Sequence, residues 1–488
     1  MRGEPWRTAK RHNDAGLTCT LSTLKFQAGE YSVHHRMSSL QEKITGLILS
    51  MIRKRRTAFA ASESNLLFPA TALESIVPAK VREVRFSDFD AVSELKQRWG
   101  IAADSLENWE RLWHRNPALM RTEVERQIER PMGWVLEANG VVVGYLGNIS
   151  LQCHYGEKTL TAVAAHGLVV EPPYRAVSLT LTAAFYRQKS VDLYLCTSAV
   201  EAVGKMALAF KSSVLPQPDY HSVLFWVLRP YPFAKALMTK LNLGPTSARI
   251  GSGLAALAVA TDKILRTRWP RWSPGSLTIT EIAPTDMGDD FETLWAEKLN
   301  ERPRLFADRS LATLRWHFEI PGDRGSCRVL CCHKGGELVG YSVLRTDTDP
   351  QNGLRKSVIA DTLVRQDDSQ IVKALWAAAY KSARHAGSHL LEVLGYPPSI
   401  REACSDWHPH SRKYPASPYY YKAADPALQE ALSDGGAWYA TPFDGDETLI
   451  RPSYSSSALK SFRAQRAEKS SSTEIVPQVP DEQRTEVC

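Results

Sequence analysis

The sequence predicts an α/β chain of two tandem domains, each a mixed, mostly antiparallel sheet flanked by helices. Three observations predict it: one order of elements occurs twice, each copy carries a tight-turn pair at the same place, and periodicity lapses between the copies. The first copy runs "VREVRFSDFDAVSELKQRW" at 81–99, "WVLEANGVVVGYLGNI" at 134–149 and "AAHGLVVEPPYR" at 164–175. The second runs "LTITEIAPTDMGDDFETLWAEKL" at 277–299, "VLCCHKGGELVGYSVL" at 329–344 and "VIADTLVRQDDSQ" at 358–370.

Each copy opens on a β-rich run and an Asp-containing turn, then turns helical; Phe89, Val92, Leu95 and Trp99 share one helical face. A hairpin follows, turning on Asn139-Gly140 in the first copy and Gly335-Gly336 in the second, pairs suited to the positive φ angles of tight hairpin turns. Gly144-Tyr145 and Gly340-Tyr341 occupy equivalent places in the next strand. After a further strand come the helical patterns "LTLTAAFYRQKS" and "SQIVKALWAAAYKSARHAG"; the latter sets Ile371, Ala374, Leu375 and Ala378 on one face. "LGPTSARIGSG" and "RWPRWSPGS" break the pattern, which places a linker with a helix at 241–275, between domains at 81–240 and 276–452.

The 488 residues exceed what one simple core accommodates, and 43% hydrophobic with 23% charged residues is a globular balance. Residues 1–65 lack periodicity and read as a basic, disordered extension; 453–488 are polar and Ser-rich and read as a disordered tail. The net charge of +7 is modest, and the basic run "MIRKRRTAF" at 51–59 reads as solvated. "ITGLILSMI" at 44–52 is too short to span a bilayer, and Asp262 and Lys263 interrupt "GSGLAALAVATDKIL", an amphipathic helix; no membrane partner is expected. Eight scattered cysteines lack the density of a disulfide scaffold, and a reducing cytoplasmic setting fits them.

One short stretch carries chemistry. At "LVVEPPYRAVSLTLT", residues 168–182, a strand runs through Pro-Pro-Tyr-Arg into a helix start, a place where backbone N–H groups and the helix dipole favour an anion. The plain alternative is a prolyl turn opening a helix. Val170 to Thr180 resembles the acetyl-CoA loop of the GCN5-related N-acetyltransferase (GNAT) superfamily, and the likeness extends over about 81–230. Where that pattern has glycines this chain has Ser178 and Thr180, whose Cβ atoms narrow the turn and whose hydroxyls can donate a hydrogen bond.

The resemblance implies an acyl-CoA N-acyltransferase, acetyl-CoA or another acyl-CoA being the co-substrate and a small-molecule or peptide amine the acceptor. It implies that Arg175, Ala176, Val177, Ser178, Leu179 and Thr180 hold the pyrophosphate, while Leu168, Val169 and Val170 place the thioester through the strand. His166 is the candidate base, since its pKa lies near neutrality, and Tyr220 the candidate acid; the plain readings are a strand histidine and a packing tyrosine. In the second copy Asp361 stands where His166 does, and Asp367 and Asp368 replace the loop, which would repel a phosphate; one coenzyme site is expected, in the first copy.

Cys327, Cys331, Cys332 and His333 invite a zinc reading, but no second ligand pair completes it and buried strand thiols are the expectation; no metal is implied. "DWHPHSRKYPASPYYY" at 406–421 is either a substrate loop with stacking faces or an extended connection. Two other functions stay open: a Fem-like aminoacyl or peptidyl transferase, which would use tRNA, and a non-catalytic binding protein that keeps the fold.

Overall fold

The computed structural model describes residues 77–450 apart from 102, 127–128, 241–244, 271, 274, 320–324 and 414–418. The expected terminal extensions, the 44–59 segment and part of the 406–421 stretch lie outside the described residues. The strands are β1 (Lys80–Glu83), β2 (Gly133–Ala138), β3 (Val141–Tyr155), β4 (Lys158–Val170), β5 (Leu193–Cys196), β6 (Ser213–Val214), β7 (Ser222–Val227), β8 (Leu277–Ile282), β9 (Leu305–Ala307), β10 (Cys327–Lys334), β11 (Glu337–Thr348), β12 (Arg355–Val364), β13 (Leu390–Val393), β14 (His410–Lys413) and β15 (Tyr420–Ala423).

They form two mixed sheets. The first has the order β1-β2-β3-β4-β5-β15-β6 with β9 paired to β3, and the second β14-β7-β13-β12-β11-β10-β8. All pairings are antiparallel except β4 with β5 and β12 with β13. The repeat is therefore real: β1 to β5 and β8, β10 to β13 follow one plan. Both hairpins turn as expected, with positive φ at Asn139 (48°) and Gly140 (77°), and at Gly335 (63°) and Gly336 (90°).

Sheet membership crosses the division expected at 241–275. β7, from the first copy, pairs with β13 in the second sheet, and β15, from the second copy, pairs with β5 in the first. The last strand of each copy is thus exchanged. A ladder needs only a hydrogen-bonding edge and an apolar face, which the partner copy offers as well as its own. Trp226 on β7 packs edge-on against Trp407, and Tyr421 on β15 against Trp438, so each exchanged strand is anchored by aromatic burial.

The helical faces are as the spacing predicts. Val92 and Leu95 are buried in the helix Phe89–Arg98, and Ile371, Ala374 and Leu375 in Ser369–His385. Trp99, expected on the same face, instead follows the helix as its C-cap and is exposed. Cys327, Cys331 and Cys332 are buried in β10, as strand thiols should be. "GSGLAALAVATDKIL" lies in the helix Pro245–Leu265, and among the described residues no helix is long and apolar enough to cross a membrane.

Candidate active site

Parting strands build the cavity. β4 and β5 pair only at Ala162–Leu193, Val163–Tyr194 and Ala164–Leu195; beyond Ala164, β4 continues to Val170 while β5 ends at Cys196. Between them lies a cavity of about 260 Å³, lined on one side by residues 165–168 and on the other by Cys196, residues 198–200 and Val203. A β-bulge shapes the β4 wall: Gly167 and Leu168 together oppose Leu146, since Tyr145 pairs with Val169 and Gly147 with His166. Gly167 has a φ of +64°, the left-handed conformation that glycine takes without strain, and a Cβ there would lie 3.2 Å from the Lys96 ammonium.

His166 is buried at the floor of this cavity between two carboxylates. Its Nδ1 lies 3.2 Å from Asp446 Oδ2, and its Nε2 lies 3.7 Å from Asp104 Oδ2. Asp104 Oδ2 also accepts from Lys96 Nζ at 2.8 Å, and its Oδ1 from Asn108 Nδ2 at 2.8 Å. Asp446 accepts from the Thr197 hydroxyl at 2.7 Å and the Ser198 hydroxyl at 3.1 Å. With the ring protonated, Lys96 and His166 balance Asp104 and Asp446, as buried charges must be.

The electrostatics follow. Burial disfavours the charged imidazole, but the carboxylates of Asp104 and Asp446 on either side of the ring outweigh it and raise the His166 pKa above 6.5. Burial likewise opposes ionisation of Asp104, yet the neighbouring His166 ring and the Lys96 ammonium hold its carboxyl well below the usual range. With Nδ1 directed to Asp446, Nε2 is the ring nitrogen left without a hydrogen bond. It is the atom through which this ring can exchange a proton.

The second copy shows what an occupied version looks like. Asp361 opposes Val343, two residues after Tyr341, just as His166 opposes Gly147, two after Tyr145, so register makes the same equivalence as the sequence. Asp361 is clamped by Arg309, which makes 3.0 Å bonds from both Nε and Nη2, and it accepts from the Tyr341 hydroxyl at 2.9 Å. Arg309 also bonds Asp444 at 2.8 Å. The Tyr145 hydroxyl, by contrast, is buried without a hydrogen-bond partner. The loop counterpart is filled too: Asp367 binds Lys298 at 2.6 Å, Arg304 at 2.8 Å and Arg302 at 3.2 Å, while Asp368 caps the helix Ser369–His385. Its own cations occupy Asp367, rather than leaving the bare repulsion expected of it.

Asp444 and Asp446 flank Gly445 on one segment that serves both lobes. Gly445 packs so closely on Thr197 that a Cβ would overlap the threonine hydroxyl. Gly445→Ala is expected to lower stability by about 1–3 kcal/mol, the usual cost of overpacking, read as a lower urea midpoint at unchanged slope.

The predicted residues divide. His166 and Leu168 line the cavity, while Val169 and Val170 remain paired in the sheet, opposite Tyr145 and Gly144. Residues 172–177 wind into a 3₁₀ turn before the helix Ser178–Tyr186. Arg175, Ala176, Val177, Leu179 and Thr180 are exposed on it, and the Arg175 guanidinium sits 5.6 Å over the Trp99 ring. The hydroxyls of Ser178 and Thr180, expected to face an anion, donate instead to the carbonyls of Arg175 at 2.7 Å and Val177 at 2.6 Å. Tyr220 is not among the residues lining the cavity; its hydroxyl donates to the Thr441 carbonyl at 3.4 Å and its ring meets Tyr419 edge-on. Lys96, Asp104, Thr197 and Asp446 were not singled out by the sequence, although two aspartates around a glycine in the otherwise apolar run "TPFDGD" are a usable signal.

No family model and no curated protein matches this chain. Among solved structures it is similar to a GCN5-related N-acetyltransferase from Kribbella flavida, at 10% identity over 72% of each chain with a TM-score of 0.44. It is similar to a second from Anabaena variabilis, at 9% identity over 71% of this chain and 73% of that one, TM-score 0.43. The Saccharomyces cerevisiae N-myristoyltransferase with bound myristoyl-CoA aligns at 12% identity over 73% of this chain and 81% of its own, TM-score 0.46. The likeness is to the fold of these chains.

Proposed function

We propose that the protein is an acyl-CoA-dependent N-acyltransferase acting on a small-molecule or peptide amine, with its one site in the first lobe. The observation that carries this reading is the cavity where β4 and β5 part, with His166 held between Asp104 and Asp446 at its floor. An acyl transfer to nitrogen needs a proton acceptor beside the attacking amine. His166 Nε2 takes the proton that the amine loses as its nitrogen bonds to the thioester carbon. The C–S bond breaks, and the thiolate leaves without an acid partner, its pKa being only about 8–9 by analogy with cysteine.

The residues present fit a coenzyme's phosphates at one point. Arg175 is exposed at the turn before a helix, and no carboxylate pairs with it among the described residues. Arg175 would hold the pyrophosphate by charge, with the start of the helix Ser178–Tyr186 adding its dipole. The two inward-bonded hydroxyls are exposed enough to turn outward at the loss of one weak bond each.

The test is calorimetric titration of the full chain with acyl-CoA, followed by thiol release in the presence of polyamines, amino sugars and amino acids. Arg175→Glu is expected to weaken coenzyme binding about tenfold or more, reversing one charge-assisted contact. Unchanged binding in that variant would make the turn structural. No binding by the unaltered chain would end the acyltransferase reading.

A further inference from the structure

Lys96 is 2% exposed, yet among the described residues its ammonium meets a single hydrogen-bond acceptor, Asp104 Oδ2 at 2.8 Å. An ammonium carries three N–H donors, and a buried donor without an acceptor is costly. One N–H can face the Tyr145 ring, whose centroid lies 5.1 Å from Nζ, which leaves a donor over.

Lys298, the buried lysine of the corresponding helix in the second copy, Asp290–Leu299, shows the saturated case. Its Nζ donates to Glu301 at 2.7 Å, to the Val364 carbonyl at 2.7 Å and to Asp367 at 2.6 Å. Every donor there is spent within the protein. In the first copy the spare donor belongs to a residue of the cavity wall, which Lys96 shares with Asp104, His166 and Gly167. Gly167 keeps the place beside the ammonium clear, since a Cβ on it would stand 3.2 Å from Nζ. Asp104 Oδ2, 2.8 Å from Lys96 Nζ, is also 3.7 Å from His166 Nε2. The two nitrogens flank one carboxylate oxygen, so a group that gives its proton to Nε2 is within reach of Nζ.

We propose, building on the acyltransferase reading, that Lys96 Nζ donates to the thioester carbonyl oxygen and stabilises the oxyanion. As the amine nitrogen bonds to the carbonyl carbon, the π pair of the C=O bond moves onto oxygen. The ammonium hydrogen-bonds that charge and keeps its own proton, while His166 Nε2 holds the proton that the amine loses. The pair on oxygen then re-forms the C=O bond, and the C–S bond breaks with its electrons leaving on the thiolate. A cation fixed in place before the reaction, away from bulk water, stabilises developing negative charge without reorganising.

The experiment binds acetyl-CoA, isotopically labelled at its carbonyl, to the full chain and reads the thioester C=O stretch by infrared difference spectroscopy. The stretch is expected at lower frequency than in free acetyl-CoA, and is expected to return toward the free value in Lys96→Met. In that variant kcat should fall about 10²–10³-fold, the usual loss of one oxyanion donor, with acetyl-CoA affinity nearly unchanged. An ammonium that only balanced Asp104 would be dispensable once Asp104 is neutral. A kcat for Lys96→Met/Asp104→Asn equal to that of Asp104→Asn alone would therefore overturn the proposal. An unshifted carbonyl in bound acetyl-CoA would overturn it too and leave the acyltransferase reading standing. If the full chain binds neither acetyl-CoA nor a longer thioester, both end. Should the Lys96 variants not fold, the carbonyl frequency in the unaltered protein decides alone.

Discussion

His166→Gln is expected to lower kcat/KM by about 10²–10⁴-fold, the usual contribution of a positioned proton acceptor, with acyl-CoA affinity nearly unchanged. The pH profile tests the role more sharply. Proton acceptance requires the neutral ring, and the adjacent carboxylates of Asp104 and Asp446 raise the folded pKa above 6.5 against the opposing effect of burial. Activity is therefore expected to rise with pH on a limb centred above 6.5. Asp446→Asn removes one carboxylate that favours the charged ring, so the limb should move to lower pH, while a merely structural role would lower activity without moving it. A limb that stays in place in Asp446→Asn would remove His166 from the proton-transfer step.

The same groups link stability to pH, with opposite signs. His166 has a raised pKa, so its contribution is fully present below about 6.5 and is lost as pH rises through the folded value. Asp104 has a lowered pKa, so its contribution is present above 3.8 and is lost as pH falls toward the folded value. Activity and stability are thus expected to pull apart on the alkaline side: deprotonation of His166 would free it to accept a proton and would leave Asp104 with Lys96 and Asn108, and Asp446 with the hydroxyls of Thr197 and Ser198.

Local chemistry was legible in the sequence. Asn139-Gly140 and Gly335-Gly336 demand positive φ angles wherever they occur, and the helical faces follow from spacing alone. The place of His166 at the cavity was legible because it sits in the strand that feeds the turn. Its partner was not: Asp446 lies 280 residues away, and nothing local ties the two. Tyr220 shows the converse failure, since a tyrosine at a plausible distance along the chain belongs to a strand-flanking segment that is packed against Tyr419 and Thr441. The exchange of β7 and β15 was invisible for a related reason. Alternation reports that a strand has one face to bury, and it is silent about whose edge the strand joins.

Arg309→Met is expected to cost about 3–5 kcal/mol, because it strips the cation from two buried carboxylates, Asp361 and Asp444. The guanidinium lies fully buried, 4.7 Å from the Phe443 ring centroid, and both carboxylates are buried with it. A fall in urea midpoint measures the loss, and pairing the change with Asp361→Asn should recover part of it, since one stranded charge is then removed. The consequence reaches the other lobe. Asp444 and Asp446 are separated only by Gly445, which is wedged against Thr197, so releasing Asp444 loosens the tether that holds Asp446 against His166. In Arg309→Met, measured where the protein is still folded, the activity limb is expected to shift to lower pH as it does in Asp446→Asn. If the midpoint falls and the limb does not move, the segment anchors the two lobes independently, and the second copy stabilises the fold without tuning the histidine of the first.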